Sequence, residues 1–186
     1  MSAEENKVQF GLKKVYYAVH NENGWETPKP IPGAVNLNLA AEGELQKYYA
    51  DDVEFWASNN NKGYSGEVEF NRIPDIMLQD VWGLQLSEKN KVLTEYAHVE
   101  PKQVALLYEI NGDRSAQLYC LYCVTLGRPN IGSKTVGESK DLTTQTCSLS
   151  AAPLAADGRV YARTTASTPK EVRDNWYAKV YEEAAA

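Results

Sequence analysis

Histidine is scarce in this chain of 186 residues, and basic charge is in deficit. The two histidines, His20 and His98, have no second ligand-type residue at a metal-binding interval. The sequence therefore offers no zinc site and no histidine-based triad. The three cysteines, Cys120, Cys123 and Cys147, are too few and too uneven for a disulfide framework. Cys120 and Cys123 have C-x-x-C spacing, but they fall within an apolar, strand-like run. Odd spacing on a strand sends two thiols to opposite faces, which suits buried small hydrophobes better than a chelate. No apolar run approaches the roughly 18 residues of a membrane span. The opening MSAEENK has neither a basic nor an apolar leader region, so the reading is a soluble, unexported protein. Phosphate-loop, dinucleotide-binding and calcium-loop patterns are missing as well. With no catalytic, metal or cofactor residues to nominate, the expectation is a protein that is not an enzyme.

Acid and tyrosine are present in quantity. Between Val35 and Asp80 nine acids face three bases, and that excess equals the whole net charge of −6. Such a balance argues against gripping nucleic acid through a basic patch. Asp51-Asp52 could supply a carboxylate pair for glycoside chemistry, but neighbours on a strand point apart. Twelve tyrosines include the adjacent pairs Tyr16-Tyr17 and Tyr48-Tyr49. One member of each pair must turn from its own core, which makes all four candidates for inter-subunit contacts or for a sugar-binding face.

Period-two alternation dominates the chain. The polar stretch 1–7 reads as a flexible arm, and a first strand runs from Leu12 to Val19. A turn follows at Asn21–Gly24, and Thr27–Gly33 is too proline-rich for a central strand. Val35, Leu37 and Leu39 then alternate with asparagines before Glu42-Gly43-Glu44, and alternation resumes at Val53 and Phe55. This predicts a long β-hairpin turning at Gly43. A strand at Tyr64–Asn71 sets Val68 and Phe70 against Glu67 and Glu69, one face dry and the other wet. At Ile73–Gly83 the period becomes helical, with Ile73, Met77, Val81 and Leu84 on one face. Residues 87–102 read as an exposed loop or small hairpin. Strands at Lys102–Ile110 and Ala116–Leu126 flank Asn111-Gly112-Asp113, a dipeptide pattern that favours a type I′ turn. Both of their faces are apolar, as in central strands or under a neighbouring subunit. After a loop at Gly127–Gly137 come a strand at Asp141–Ala152, a turn at Asp157-Gly158 and a short strand at 160–164. Thr168, Pro169 and Glu171 have the form of a capping box opening a C-terminal helix over 169–182. The sum is one mainly β domain spanning 1–186: antiparallel strands in a sandwich or partial barrel, one short internal helix and a C-terminal helix.

Several stretches taken in order resemble the major tail proteins of long-tailed, non-contractile phages and prophages, in particular the phi-thirteen-type family. They are Asn6-Lys7-Val8 with Phe10-Gly11-Leu12, Pro32-Gly33-Ala34-Val35, Tyr49-Ala50-Asp51-Asp52 and Gly63-Tyr64-Ser65-Gly66. Ile73-Pro74-Asp75, Ala105–Glu109 and Asp157–Val160 complete the series. The resemblance implies a tail-tube fold with two antiparallel sheets, six copies closing into a ring, and rings stacking into a tube that conducts DNA. Partners would be the chain itself, with tape-measure and tail-terminator proteins, and DNA would pass without specific binding. The place would be the virion tail, made in the host cytoplasm. Glu42, Glu44, Asp51, Asp52 and Glu54 are then candidates for the bore. Loop 87–102, the N-terminal arm and Thr27–Pro32 are candidates for ring-stacking contacts. The competing reading is a monomeric β-sandwich that binds carbohydrate or surfaces through its tyrosines.

Overall fold

The computed structural model describes residues 5–22, 24–135 and 142–183. Met1–Glu4 of the expected arm, Asn23 of the first turn, Asp141 at the start of the last strand and Ala184–Ala186 lie outside them.

The alternating segments become antiparallel strands. In chain order they are β1 (Gln9–Asn21), β2 (Gly24–Trp25), β3 (Lys29–Ile31), β4 (Ala34–Glu42), β5 (Leu45–Ala50), β6 (Val53–Asn59) and β7 (Gly63–Phe70). Helix α1 (Asp75–Trp82) precedes β8 (Gln85–Leu86), β9 (Leu93–Thr94), β10 (Val104–Gly112), β11 (Gln117–Leu126), β12 (Gln145–Ala152), β13 (Tyr161–Arg163) and α2 (Lys170–Asp174). Nine strands form one sheet in the order β2-β1-β10-β11-β12-β7-β4, with β3 on β1 and β13 on β11. The sheet curls until β1 and β4 approach each other. The mainly β, antiparallel architecture expected is thus present, in its partial-barrel form.

Inside the curl, Tyr17, Val68, Phe70, Val104, Leu106, Leu121 and Val124 pack with Ile73, Met77, Val81 and Trp82 from α1 and its approach. The helical stripe does fill core. Gly83 ends α1 at φ +67, a left-handed angle, and Leu84 N–H returns to the Leu78 carbonyl at 3.2 Å. Asp80 anchors the helix to the sheet, accepting from Tyr17 Oη at 2.8 Å and Lys29 Nζ at 2.6 Å.

A second core lies on the opposite face of β1, β10 and β11. There Ala18, Ala105, Leu107, Cys120 and Tyr122 are covered by Trp176 and Val180. The doubly apolar strands are therefore central, and the chain's own C-terminal segment supplies the cover. Trp176 Nε1 donates to the Tyr119 carbonyl at 3.3 Å, and Tyr122 Oη to the Tyr181 carbonyl at 2.8 Å.

Several expectations need correction. The hairpin that starts at β4 does not turn at Gly43. β4 pairs with β7 and β5 with β6, and Lys62 N–H to Glu42 O and Asn60 N–H to Glu44 O carry the ladder between them. One ribbon thus runs from Ala34 to Phe70, and its tip is Asp51-Asp52 at φ +52 and +61. Those two carboxylates sit in a two-residue turn, not on a strand.

Asn111-Gly112 does not turn either. Both residues extend β10 to pair with Phe10 and Gln9, and the reversal occurs at residues 113–116. Asn6 organises it, donating to the Ser115 carbonyl and accepting from the Arg114 and Ser115 amides. The end of the supposed mobile arm, Asn6-Lys7, is therefore pinned.

The C-terminal helix stops at Asp174, not near 182. Thr168 accepts from Thr165 N–H rather than capping the helix, and single turns carry Trp176 and Val180 onto the second core. Tertiary burial outweighs the helical propensity of so short a segment.

Candidate functional site

The ribbon β5–β6 stands clear of the body. From Ala41 to Val53 and on to Ala57 the side chains are exposed, apart from half-buried Ala50. Yet the ribbon carries large apolar groups: Phe55 is 73% exposed, Tyr48 62%, Leu45 61%, Val53 60%, Tyr49 59% and Trp56 55%. Tyr48 and Trp56 face each other across the two strands. Both tyrosines of the second pair thus project from an arm, which the sequence could assign to only one of them.

The first pair behaves differently. Tyr17 is fully buried and is removed from the inter-subunit candidates. Burial first, then the hydrogen bond to Asp80, raises its phenol above the ordinary range. Tyr16 lies 4.6 Å, centroid to centroid, from Tyr177 of its own C-terminal segment. Beneath them Lys14 Nζ reaches the buried Glu109 carboxylate at 3.0 Å, giving that charge the partner it requires.

All five acids named from the sequence are exposed. Glu44 pairs with Lys62 at 3.0 Å and Glu54 with Lys47 at 2.6 Å, while Asp51 and Asp52 cap the tip. Glu42 continues a different surface. Strands β4, β7 and β12 align the rows Asn36–Glu69–Thr146, Asn38–Glu67–Ser148 and Ala40–Ser65–Ser150, with Thr125 of β11 beside Ser150. No lysine or arginine stands in these rows. Thr144 Oγ1 donates to the Glu69 carboxylate. This smooth, acidic, hydroxyl-and-amide face was half visible in the alternation of Glu67 and Glu69 with Val68 and Phe70. Its breadth was not, because it depends on which strands flank β7.

A cleft marks where the curled sheet fails to close. Among the described residues the outer edge of β4 pairs with no strand, and the cleft of about 530 Å³ between it and β1 is lined by Leu12, Val35, Leu37, Leu39, Tyr108 and Ile110, among others. At one end it meets a 180 Å³ pocket walled by Tyr64, Tyr108, Tyr119 and Tyr161. Tyr108 and Tyr119 stack there at 5.1 Å, and Tyr64 meets Tyr161 edge-on at 5.8 Å. At the other end a groove passes Lys13 and Lys14.

Cys120, Cys123 and Cys147 are free and buried. Desolvation pushes the Cys120 and Cys147 thiols up to about 12. Among the described residues no group of three or more His, Cys, Asp or Glu is placed to hold a metal ion. Nor, among them, is any helix long and apolar enough to cross a membrane.

No protein-family model and no curated protein matches the chain. A solved structure does. The tube-terminating cap of the anti-feeding prophage aligns over 89% of this chain and 98% of its own, at 12% identity and a TM-score of 0.44. At that depth the likeness says nothing of what this chain does.

Proposed function

We propose that this chain is the tube-forming subunit of a phage-type tail, whose copies close into six-membered rings that stack around a DNA-conducting bore. The observation that carries this reading is the arm. Six large apolar side chains on a two-stranded ribbon are a liability in a monomer and an asset in an assembly. The ordered motifs that resemble major tail proteins support it independently.

The acidic face over β4, β7, β12 and β11 suits a bore wall. Glu67, Glu69 and Glu42, with no cation among them, would repel DNA phosphates, and the hydroxyls and amides offer no basic grip. Charges on the wall act over about 8 Å in physiological salt, so they matter for DNA that comes close. Glu44 and Glu54 contribute less, each being offset by a lysine. In this reading tape-measure and terminator proteins are further partners. The chain belongs to the virion tail after synthesis in the host cytoplasm. Loop 87–102, the N-terminal segment and Thr27–Pro32 join successive rings.

Electron microscopy of concentrated, purified protein tests the proposal. Rings or tubes of uniform width with a central channel are expected. A strict monomer at every concentration overturns it. If that monomer also bound oligosaccharide, the tyrosine-walled pocket would become the site of a carbohydrate-binding module instead.

A further inference from the structure

The chain leaves two surfaces unpartnered, one projecting and one concave, and they match in length, polarity and charge. The projecting one is the β5–β6 arm. Its six-residue strand Leu45–Ala50 spans roughly 20 Å at 3.3 Å per residue. The concave one is the unclosed seam between β1 and β4. It runs beside Val35–Leu39 for a similar distance, and its core-side residues Leu12, Leu37 and Leu39 are only partly buried. Among the described residues no strand pairs with the outer edge of β4, although β1 comes near it, so that edge keeps backbone groups open to one more strand.

The ends are complementary too. The arm finishes in Asp51-Asp52, two exposed carboxylates that form no ion pair with a lysine or arginine among the described residues. The seam finishes at Lys13 and Lys14, and among the described residues no carboxylate lines the seam or the groove that continues it. Lys14 is engaged by Glu109, whereas Lys13 is exposed. Laid with its tip at Lys13, the arm's aromatic stretch would lie toward the tyrosine-walled pocket, which shares Leu39 and Tyr108 with the seam. An arm cannot reach its own seam. The ladder continues outward from Glu42, and twelve residues separate Leu39 from Asp51, which is on the order of 40 Å of extended ribbon.

We propose that the β5–β6 arm of one copy docks in the β1–β4 seam of a second copy, adding a strand to the free edge of β4 and setting Asp51-Asp52 against Lys13. The inference rests on the self-assembly reading above and names the contact that drives it. The contact is heterologous: each copy gives an arm and receives one, so it propagates until a ring closes.

The test uses full-length chains in two complementary variants. Phe55→Ser with Trp56→Ser disables the arm, and Val35→Glu with Lys13→Glu disables the seam; all four residues are exposed. Circular dichroism should show both variants folded as wild type. By sedimentation velocity wild type should assemble, and each variant alone should be at least about tenfold weaker. A one-to-one mixture should give heterodimers and nothing longer, since one intact arm meets one intact seam. As a second measure, Lys13→Glu alone should weaken assembly, and adding Asp51→Lys with Asp52→Lys should restore it. A seam variant that assembles like wild type, or a mixture no better than its components, overturns the seam contact while leaving self-assembly standing. A wild type that never associates overturns both.

Discussion

Cys120 and Cys147 are each fully shielded from solvent, one in each core, and burial raises both thiols to about 12 from an ordinary 9.0. Between those values the unfolded chain has lost protons that the native chain still holds, so stability falls as pH rises. The stabilisation is complete below pH 9 and is lost on the way to pH 12. By pH 10 each thiol should have cost the native state on the order of 1 kcal/mol. Urea midpoints at pH 8 and pH 10 should therefore fall for wild type. Cys120→Ala with Cys147→Ala should lose less over the same interval, although it starts from a lower midpoint. A double variant with an unchanged pH slope would refute the account. The same burial explains why C-x-x-C spacing was no guide to chemistry here: the chain uses sulfur as a small apolar group.

Between β10 and β11 the chain reverses through a turn whose organising side chain is Asn6, more than a hundred residues away. Asn6→Ala removes the side-chain oxygen that accepts from the Arg114 and Ser115 amides and the donor to the Ser115 carbonyl. The expected loss is about 1 kcal/mol. Hydrogen exchange should accelerate at those two amides well before it does in the centre of β11. This turn also marks how far the elements could be read in advance. Alternation located the long strands β1, β4, β7, β10 and β11 but not β2, β3 or β5, and the change of period located α1, because each pattern records a burial that the neighbouring residues themselves create. Partners were a different matter. Asn111-Gly112 has strong local turn chemistry, but β1 offers both residues ladder bonds, and the distant contact wins. The hairpin expected over Val35–Ala57 was drawn too short and turned at the wrong residue: β4 pairs with β7, which the alternation had set apart as a separate strand. Gly43 looked like a tip, whereas two aspartates accept the left-handed angles that the real tip demands. The acidic face was the least visible feature. Glu67 and Glu69 become part of a surface only when β4 and β12 are known to lie on either side of β7.

At the scale of the molecule, one sheet separates two cores, and the outer one depends on a segment with very little regular structure. Trp176 is its main side chain. Trp176→Ala should cost about 3–5 kcal/mol and leave an open space over Cys120 and Tyr122. Thermal unfolding monitored by near-ultraviolet circular dichroism should show the lower midpoint. Assembly through the arm should survive wherever the variant is folded, since Trp176 belongs to the outer core and lines neither the arm nor the seam.

The ribbon's continuity with the sheet has a mechanical consequence. The arm is an outward extension of β4 and β7, and β7 is bonded in turn to β12. A pull on Asp51-Asp52 along the ribbon axis therefore acts parallel to the strands and across ladder bonds that lie perpendicular to them. Such a load shears many bonds at once instead of peeling them singly. In the proposed docking the arm would therefore act as a tether, passing tension from one copy into the sheet of the next.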